Sequence, residues 1–333
     1  MKIRILKKAD HDKTRPIYEN IFSEDSKRFV DYYYTEKTKD NTIYVAEEDG
    51  AYRSMLHLNP YNMFINGKMK ETNYIVAVAT EEEYRKRGFM GKLLKAALCD
   101  MAEEGKFFTF LMPVRESIYT PYDFRTVYEQ EVEYYDPAME FDGEIRPATD
   151  ADCAALAAAE NGFLKDYFQI FAIRDEAYFQ RLLKEYATED GSLMTFFMGD
   201  QIVGSAPYFP ENHEEGGAKP KIMFRILDVR RMLMTLSVSQ LLTACFTVTD
   251  PIIEDNNRCL YVTGTEFSGL LLMKGEPEKS EGTITIGALT SLIFGAKTVE
   301  EICQEDGVEM SEHLKEELAK IVPLSRIFIN EVV

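Results

Sequence analysis

The sequence predicts a mixed α+β fold divided into several domains. The chain has 333 residues, whereas a single domain usually has about 100 to 200. Apolar residues recur with a period of two in some segments and at helical spacing in others, and turn residues separate these segments. Strands and helices are therefore expected to alternate along the chain.

The N-terminal part begins with predicted strands. Residues 42–46 and 52–58 have strand patterns, and the Glu48-Asp49-Gly50 segment between them is typical of a hairpin turn. In residues 73–80, apolar and β-branched side chains occupy positions that would point to both faces of a strand. This pattern predicts a central strand that is buried on both faces.

A helix and another strand are expected next. Apolar residues recur at helical spacing over residues 89–101, and Gly105 follows where a helix often ends on glycine. Residues 106–112 have a strand pattern. This part of the chain thus predicts the order strand, loop, helix, strand.

Two further regions are predicted beyond a polar stretch at residues 140–147. The middle region ends in a hairpin of residues 193–198 and 201–209, followed by an exposed loop at 211–219. A strand at 221–227 and a helix capped by Asp228 open the last region. We predict domains at residues 1–142, 143–220 and 221–333.

Net charge narrows the possible partners. The 38 basic and 57 acidic residues give a net charge of −19, which repels nucleic acid and anionic lipid and can concentrate a cationic substrate. The alternative is that acidity only keeps the protein soluble. No apolar run approaches the ~20 residues of a membrane span, so a cytoplasmic protein that binds neither membrane nor nucleic acid is expected. The five cysteines are dispersed and predict no metal site.

The strongest functional signal is a basic, glycine-containing loop between the buried strand and the helix. Unpaired amides and the positive end of the helix dipole at such a position favour a bound pyrophosphate. Gly88 and Gly91 allow close approach, and Arg85, Lys86 and Arg87 supply charge. The alternative is an ordinary surface helix, but cations at a helix N-terminus oppose the dipole.

This loop resembles the signature of the GNAT acetyltransferases, [R/Q]-x-x-G-x-[G/A]. The match runs from Arg85 to Gly88, with Met90 at the last position and Gly91 one residue later. The resemblance implies acetyl-CoA as cosubstrate, with pantetheine on the preceding strand and pyrophosphate on the loop. The implied cofactor-binding residues are Val78, Ala79, Thr80, Arg85, Lys86, Arg87, Gly88, Phe89, Met90 and Gly91.

A second match follows at residues 118–124, which resemble the family's F-Y-x-x-x-G-F segment. Tyr119 falls on the tyrosine that protonates the departing CoA thiolate, and Asp123 stands where glycine is usual. A tyrosine suits this role because its pKa, near ~10, keeps it protonated at neutral pH. Tyr122 and Tyr128 remain rival candidates.

The rest of the chain resembles the enhanced intracellular survival family of GNAT acetyltransferases. The supporting segments are residues 248–257, 284–295 and 327–333. The resemblance implies a short, degenerate GNAT-like middle region without cofactor, a C-terminal sterol-carrier-protein-like domain, and a homo-oligomer, by resemblance a hexamer. It also implies acetylation of a primary amine, including aminoglycoside-like and other cationic small molecules.

The chain end is apolar almost to its last residue, which predicts that it docks into a crevice. The resemblance implies that the terminal carboxylate of Val333 acts as the base. The alternative is a terminal strand that only packs, with Glu331 or an internal carboxylate as base.

Two other functions remain open, namely a protein-lysine acetyltransferase and a lipid-binding module with a vestigial GNAT domain. Residues 29–34, an aromatic run, line the acceptor site or belong to the core. His57 is a weak candidate for the same site.

Overall fold

The computed structural model describes residues 1–210 and 219–331. These residues form helices together with several sheets, so the predicted α+β class is confirmed. Within the described ranges, no helix is both long and apolar enough to span a bilayer. Most of the predicted loop at 211–219 lies outside the described residues.

Up to residue 129 the chain alternates strands with short helices. The strands are β1 (Lys2–Ile5), β2 (Thr42–Glu48), β3 (Ala51–Ile65), β4 (Lys68–Thr80), β5 (Phe108–Leu111) and β6 (Arg125–Glu129). The helices are α1 (Arg15–Ile21), α2 (Lys27–Thr35), α3 (Phe89–Glu103) and α4 (Glu116–Tyr119). Predicted strands 42–46, 52–58 and 73–80 and the helix at 89–101 are thus confirmed.

The predicted strand at 106–112 is shorter than expected because the preceding helix ends late. Gly105 adopts φ 80° after α3, and the amide of Lys106 still donates to the carbonyl of Met101 at 3.0 Å. This bond closes the last helical turn. The chain becomes extended only from Phe108.

The middle of the chain packs two helices against a small sheet. Its elements are β7 (Glu144–Pro147), α5 (Cys153–Tyr167), β8 (Ile170–Ala172), α6 (Glu176–Ala187), β9 (Ser192–Met198) and β10 (Gln201–Tyr208). Strands β10, β9 and β7 pair in that order, and β9 and β10 form the predicted hairpin.

The C-terminal part is built around a five-stranded sheet. Its elements are β11 (Lys221–Ile226), α7 (Val229–Leu233), β12 (Ser237–Val238), β13 (Leu242–Thr249), β14 (Arg258–Thr265), β15 (Gly269–Lys274), β16 (Gly282–Thr285), α8 (Ile286–Ile293), α9 (Val299–Ile302), β17 (Glu309–Met310), α10 (Glu312–Leu318), β18 (Ile321–Val322) and β19 (Ile327–Phe328). The sheet order is β15-β14-β13-β16-β17. Asp228 caps α7 by accepting from the amide of Arg231, as predicted.

The largest sheet draws strands from the whole chain. Its order is β1-β2-β3-β4-β5-β11-β6, and β8 adds to β3 and in turn pairs with β19. Strand β11 is antiparallel to both β5 and β6. The domain limits at 142 and 220 stay predictions, but each of the three predicted regions contributes a strand to this sheet.

One apolar core joins the largest sheet to the C-terminal part. The ring of Phe224 on β11 lies 4.7 Å from that of Phe108 on β5 and 4.8 Å from that of Phe294, which follows α8. All three side chains are buried. A displacement of the C-terminal part would therefore disturb the sheet that carries the candidate site.

Candidate active site

Strands β4 and β5 diverge at the predicted pantetheine site. They run parallel and share one register pair, Tyr74 with Phe110, whose rings stack at 5.0 Å. Beyond Tyr74, β4 continues to Thr80, whereas β5 ends at Leu111. The side of residues 76–80 that faces away from β3 therefore pairs with no described strand. Main-chain groups there are available to a ligand, except that the Thr80 carbonyl accepts from Arg85.

A bulge shapes this end of β4. The register with β3 shifts between Met55 and His57, and Ala77 opposite the shift adopts φ 49°. Ala77 and Ala79 are buried, while Val78 and Thr80 are half-buried. The bulge thus interrupts the regular pairing of β4 with β3 just before Val78 and Thr80.

The basic loop leads into α3 through two left-handed residues. Lys86 adopts φ 61°, and Gly88, the residue before the helix, adopts φ 81°. No side chain caps the helix, and its first turn closes with the amide of Lys92 donating to the carbonyl of Gly88 at 3.2 Å. The amides of Phe89, Met90 and Gly91 are thus left for an anion.

The three basic side chains of the loop differ in their contacts. Arg87 donates to Glu48 at 2.7 Å and lies over the ring of Tyr84 at 4.7 Å. Arg85 donates from Nε to the carbonyl of Thr80 at 3.2 Å, and Lys86 is exposed. Arg87 is thereby held against the body of the protein, whereas Lys86 and the outer nitrogens of Arg85 face solvent.

Gly91 is explained by its neighbour Tyr122. A Cβ atom at position 91 would lie 2.2 Å from the Tyr122 hydroxyl oxygen, so only glycine leaves room for that ring. The Tyr122 hydroxyl therefore lies against the first turn of α3.

Tyr119 is the last residue of α4. It is 9% exposed, and burial raises the pKa of its hydroxyl to about 12. Within the described residues no group forms a hydrogen bond with that hydroxyl. Its ring packs edge-on against Phe124 at 5.9 Å. Tyr119 is therefore a buried, protonated hydroxyl at neutral pH.

The residue after the turn accounts for the departure from the family motif. Asp123 adopts φ 64°, the left-handed conformation that glycine adopts without strain. Aspartate tolerates it better than most residues. The backbone conformation thus explains why glycine is usual there and why Asp123 can replace it.

The third candidate tyrosine lies elsewhere. The hydroxyl of Tyr128 on β6 donates to Asn330 at 3.0 Å, close to the chain end. Burial raises the pKa of Tyr128 to about 12. The three tyrosines therefore occupy different places: Tyr122 lies against the first turn of α3, Tyr119 is at the end of α4 against Phe124, and Tyr128 is beside the tail.

A cavity of about 1210 Å³ opens between β3, the helices α5 and α6, and the tail. Among the described residues, its lining contains eleven carboxylates and three basic side chains. The carboxylates belong to Glu24, Asp25, Asp40, Glu71, Glu131, Glu133, Glu160, Asp175, Glu185, Glu189 and Glu331. The surplus of negative charge favours a cation.

All three basic side chains of the lining are neutralised locally. Lys37 pairs with Glu185 at 3.0 Å and Arg181 with Asp40 at 2.6 Å. Arg174 pairs with Glu160 at 2.6 Å and with Glu331 at 3.1 Å. None is left to hold an anionic ligand.

The chain end docks beside β6 as far as the described residues reach. Ile327, Ile329 and Glu331 are buried. Gln130 donates to the carbonyls of Ile329 at 3.1 Å and Glu331 at 3.4 Å. The predicted crevice for the tail therefore exists, whereas Val333 lies outside the described residues.

Glu331 has one satisfied and one free carboxylate oxygen. Oε1 accepts from Arg174 at 3.1 Å and from the hydroxyl of Tyr178 at 3.3 Å. Oε2 is buried and has no partner within the described residues. Because Glu331 lines the cavity, this oxygen is suited to receive a donor from a ligand.

The weaker sequence candidates divide between cavity and core. Phe29 lines the cavity, whereas Tyr32, Tyr33 and Tyr34 are buried. His57 is also fully buried, and burial lowers its pKa to about 3. Sequence analysis missed Glu160, Arg174 and Glu185 because no local pattern marks them, although the net charge indicated a cationic ligand.

Comparison with known proteins agrees with this geometry. Residues 2–127 match the family model described as "Acetyltransferase (GNAT) domain". No curated protein matches the chain by sequence.

Solved structures share the fold over nearly the whole chain. A probable N-acyltransferase from Enterococcus faecalis is 14% identical, with a TM-score of 0.79 over 100% of this chain and 99% of that chain. A GCN5-related N-acetyltransferase from Anabaena variabilis is 13% identical, with a TM-score of 0.75 over 98% and 99% of the two chains. Eis1 from Mycobacterium abscessus is 12% identical, with a TM-score of 0.68 over 96% and 97%. At these identities the likeness concerns the fold. The family match assigns residues 2–127 to a GNAT acetyltransferase domain, and the structural likeness extends the shared fold over nearly the whole chain.

Proposed function

We propose that this protein transfers the acetyl group of acetyl-CoA to a primary amine of a cationic small molecule bound in the acidic cavity. The observation that carries the proposal is the lining of that cavity, with eleven carboxylates against three basic side chains that are all paired. An aminoglycoside-like compound or a polyamine would match this surplus.

The cosubstrate site is assigned to the open edge of β4 and to the basic loop. Val78, Ala79 and Thr80 would hold the pantetheine arm through main-chain groups, and residues 85–91 would hold the pyrophosphate. The uncapped helix N-terminus and the glycines fit such a ligand.

Tyr119 is assigned the role of acid. The acceptor nitrogen attacks the thioester carbonyl carbon, and a main-chain amide near Val78 stabilises the oxygen that becomes negative. The bond from carbon to sulfur then breaks, and the Tyr119 hydroxyl gives its proton to the sulfur. A pKa of about 12 keeps that hydroxyl protonated until this step.

The base is assigned to the terminal carboxylate of Val333, which takes the proton of the attacking amine. The docking of residues 327–331 beside β6 supports this assignment, because it brings the chain end toward the largest sheet. The side chain of Glu331 is the alternative, since its Oε2 is free.

The remaining assignments rest on the family resemblance. We propose domains at 1–142, 143–220 and 221–333, with a cofactor-free GNAT-like middle and a sterol-carrier-protein-like third domain. On the same ground we propose a homo-oligomer, whereas the proposed cytoplasmic location rests on the sequence having no apolar run of about 20 residues.

A screen of acceptors tests the function directly. Aminoglycosides, polyamines and lysine peptides are offered with acetyl-CoA, and released CoA is measured by thiol detection. We expect turnover with small polycations and none with neutral amines of similar size. Selective turnover of lysine peptides would favour the protein-lysine alternative. Absence of acetyl-CoA binding in calorimetry, together with a co-purified lipid in mass spectrometry, would favour the lipid-binding module.

A further inference from the structure

The turn that follows Tyr119 is held from behind by two arginines. Arg125 on β6 donates to the carbonyls of Thr120 at 3.4 Å and Phe124 at 3.0 Å. Arg225 on β11 donates from Nε to the carbonyl of Tyr122 at 2.8 Å. Both arginines therefore act on the segment that carries Tyr119 and Tyr122.

Each arginine is paired with a carboxylate of the C-terminal part. Arg125 lies 3.4 Å from Glu305, and its guanidinium occupies the space that a Cβ atom at Gly287 would fill. Arg225 lies 2.7 Å from Asp250, and both side chains are completely buried. The Arg225 pair is thus shielded from solvent, where electrostatic interactions are strong.

Asp250 is saturated with donors in addition to Arg225. Its Oδ1 accepts from the amides of Ile252 at 2.8 Å and Ile253 at 3.0 Å, and its Oδ2 accepts from Asn256 at 2.9 Å. The amide bonds are the turn contacts expected at this position, and the sequence did not indicate the ion pair. Four donors to one carboxylate fix its position and hence that of Arg225.

Asn256 extends the connection to the strand itself. Its side chain donates to the carbonyl of Leu227 at 3.1 Å and accepts from the amide of Val229 at 3.0 Å. The end of β11 and the loop that carries Asp250 therefore move as one unit.

We propose that Arg225 is a positioning residue for acetyl transfer, and that Asp250 lets the C-terminal part set the place of the turn at residues 119–123 relative to the cofactor loop. The fork of Arg225 is required because one side chain must reach the Tyr122 carbonyl and the Asp250 carboxylate at once. The Tyr122 hydroxyl in turn lies against Gly91. The connection thus runs from Asp250 through Arg225 and Tyr122 to the first turn of α3.

The inference rests on the proposed function for the role of Tyr119. The test is therefore designed so that failure of the inference and failure of the proposed function give different results. Arg225→Lys keeps the positive charge beside Asp250 but cannot also hold the Tyr122 carbonyl. Because a misplacement of about 1 Å can cost about 100-fold in rate, we expect kcat to fall about tenfold or more. The KM for the acceptor should not change, since the acceptor cavity is lined by other residues.

A double-mutant cycle asks whether Arg225 acts through Tyr119. We expect Arg225→Lys to cause no further loss of kcat in a Tyr119→Phe background. Arg146→Lys is the control, because Arg146 pairs with Asp152 at 2.8 Å beside the separate three-stranded sheet. It should lower Tm without changing kcat.

Four outcomes are decisive. A folded Arg225→Lys protein with unchanged kcat overturns the inference, and so does one that does not fold, since the pair would then serve the fold alone. If the losses of kcat from Arg225→Lys and Tyr119→Phe are additive in the double mutant, Arg225 does not act through Tyr119, and this also overturns the inference. If Arg225→Lys lowers kcat while Tyr119→Phe does not, the positioning role stands and the acid of the proposed function fails.

Discussion

The basic loop at residues 85–91 and the acidic cavity, which the proposal assigns to the cosubstrate and the acceptor, differ in charge and in construction. The loop is a run of seven residues that is basic and mostly exposed, whereas the cavity is acidic and collects residues from Glu24 to Glu331. A short segment suffices for a phosphate because helix geometry supplies the amides. A cavity shaped for a particular cation must be assembled from several elements. Cofactor identity can therefore be inferred from local sequence, and acceptor identity cannot.

Tyr119, which the proposal places between loop and cavity, should give the largest effect. Tyr119→Phe removes a proton donor and little volume, so we expect kcat to fall about 100-fold or more with the KM for acetyl-CoA nearly unchanged. Steady-state kinetics with thiol detection measure both. Should Tyr122→Phe behave in this way instead, the acid lies at the loop and the assignment to Tyr119 is wrong.

A change at the chain end should come next in size. Appending one glycine after Val333 moves the terminal carboxylate away while Ile327 and Ile329 stay in place, and loss of a general base should cost roughly 100-fold in kcat. Deleting Val332 and Val333 should have a similar effect. Circular dichroism and Tm establish folding of each variant. Normal turnover by a folded, extended protein would exclude the terminal carboxylate and leave Glu331 as the candidate base.

Removing positive charge from the loop should change the KM for acetyl-CoA and leave the KM for the acceptor unchanged. Arg85→Ala together with Arg87→Ala should raise the KM for acetyl-CoA about tenfold, since charge-assisted hydrogen bonds to phosphate are lost at an exposed site. Most of the effect should come from Arg85, because Arg87 is bound to Glu48. Lys279→Ala with Lys315→Ala removes two positive charges elsewhere, one exposed and one half-buried, and is the matched control. Unchanged affinity for acetyl-CoA would place the pyrophosphate elsewhere.

Removing negative charge from the cavity should change only the KM for the acceptor, and by less than the loop variants change the KM for acetyl-CoA. Glu331→Gln keeps an acceptor for Arg174 and Tyr178 but neutralises the free oxygen, so the KM for a cationic acceptor should rise about fivefold. The effect should shrink at high salt because screening weakens the attraction. Glu312→Gln, on the exposed face of α10, removes the same charge outside the cavity and should leave both KM values unchanged. Equal effects of the two variants would mean that net charge, and not the cavity, attracts the acceptor.

Predictions from the sequence agree with the structure where a feature depends on residues close together in the chain, and they fail where it depends on distant residues. Hairpin turns, the end of α3 at Gly105 and the cap at Asp228 depend on neighbouring residues, and each was predictable. The length of β5 was overestimated because the hydrogen bond of the Lys106 amide, which closes the last turn of α3, cannot be inferred from an apolar pattern. The ion pair of Arg225 with Asp250 was missed because it joins residues 25 positions apart on different elements.

The amino-acid sequence was sufficient to predict the α+β class and the basic loop on a helix start, because periodicity and turn chemistry are properties of short segments. The three-dimensional fold was needed to show that β11 returns to the first sheet between β5 and β6, that Tyr122 rather than another side chain covers Gly91, and that eleven carboxylates line one cavity. These features depend on contacts between residues far apart in the chain, which form only when distant apolar faces pack into a common core.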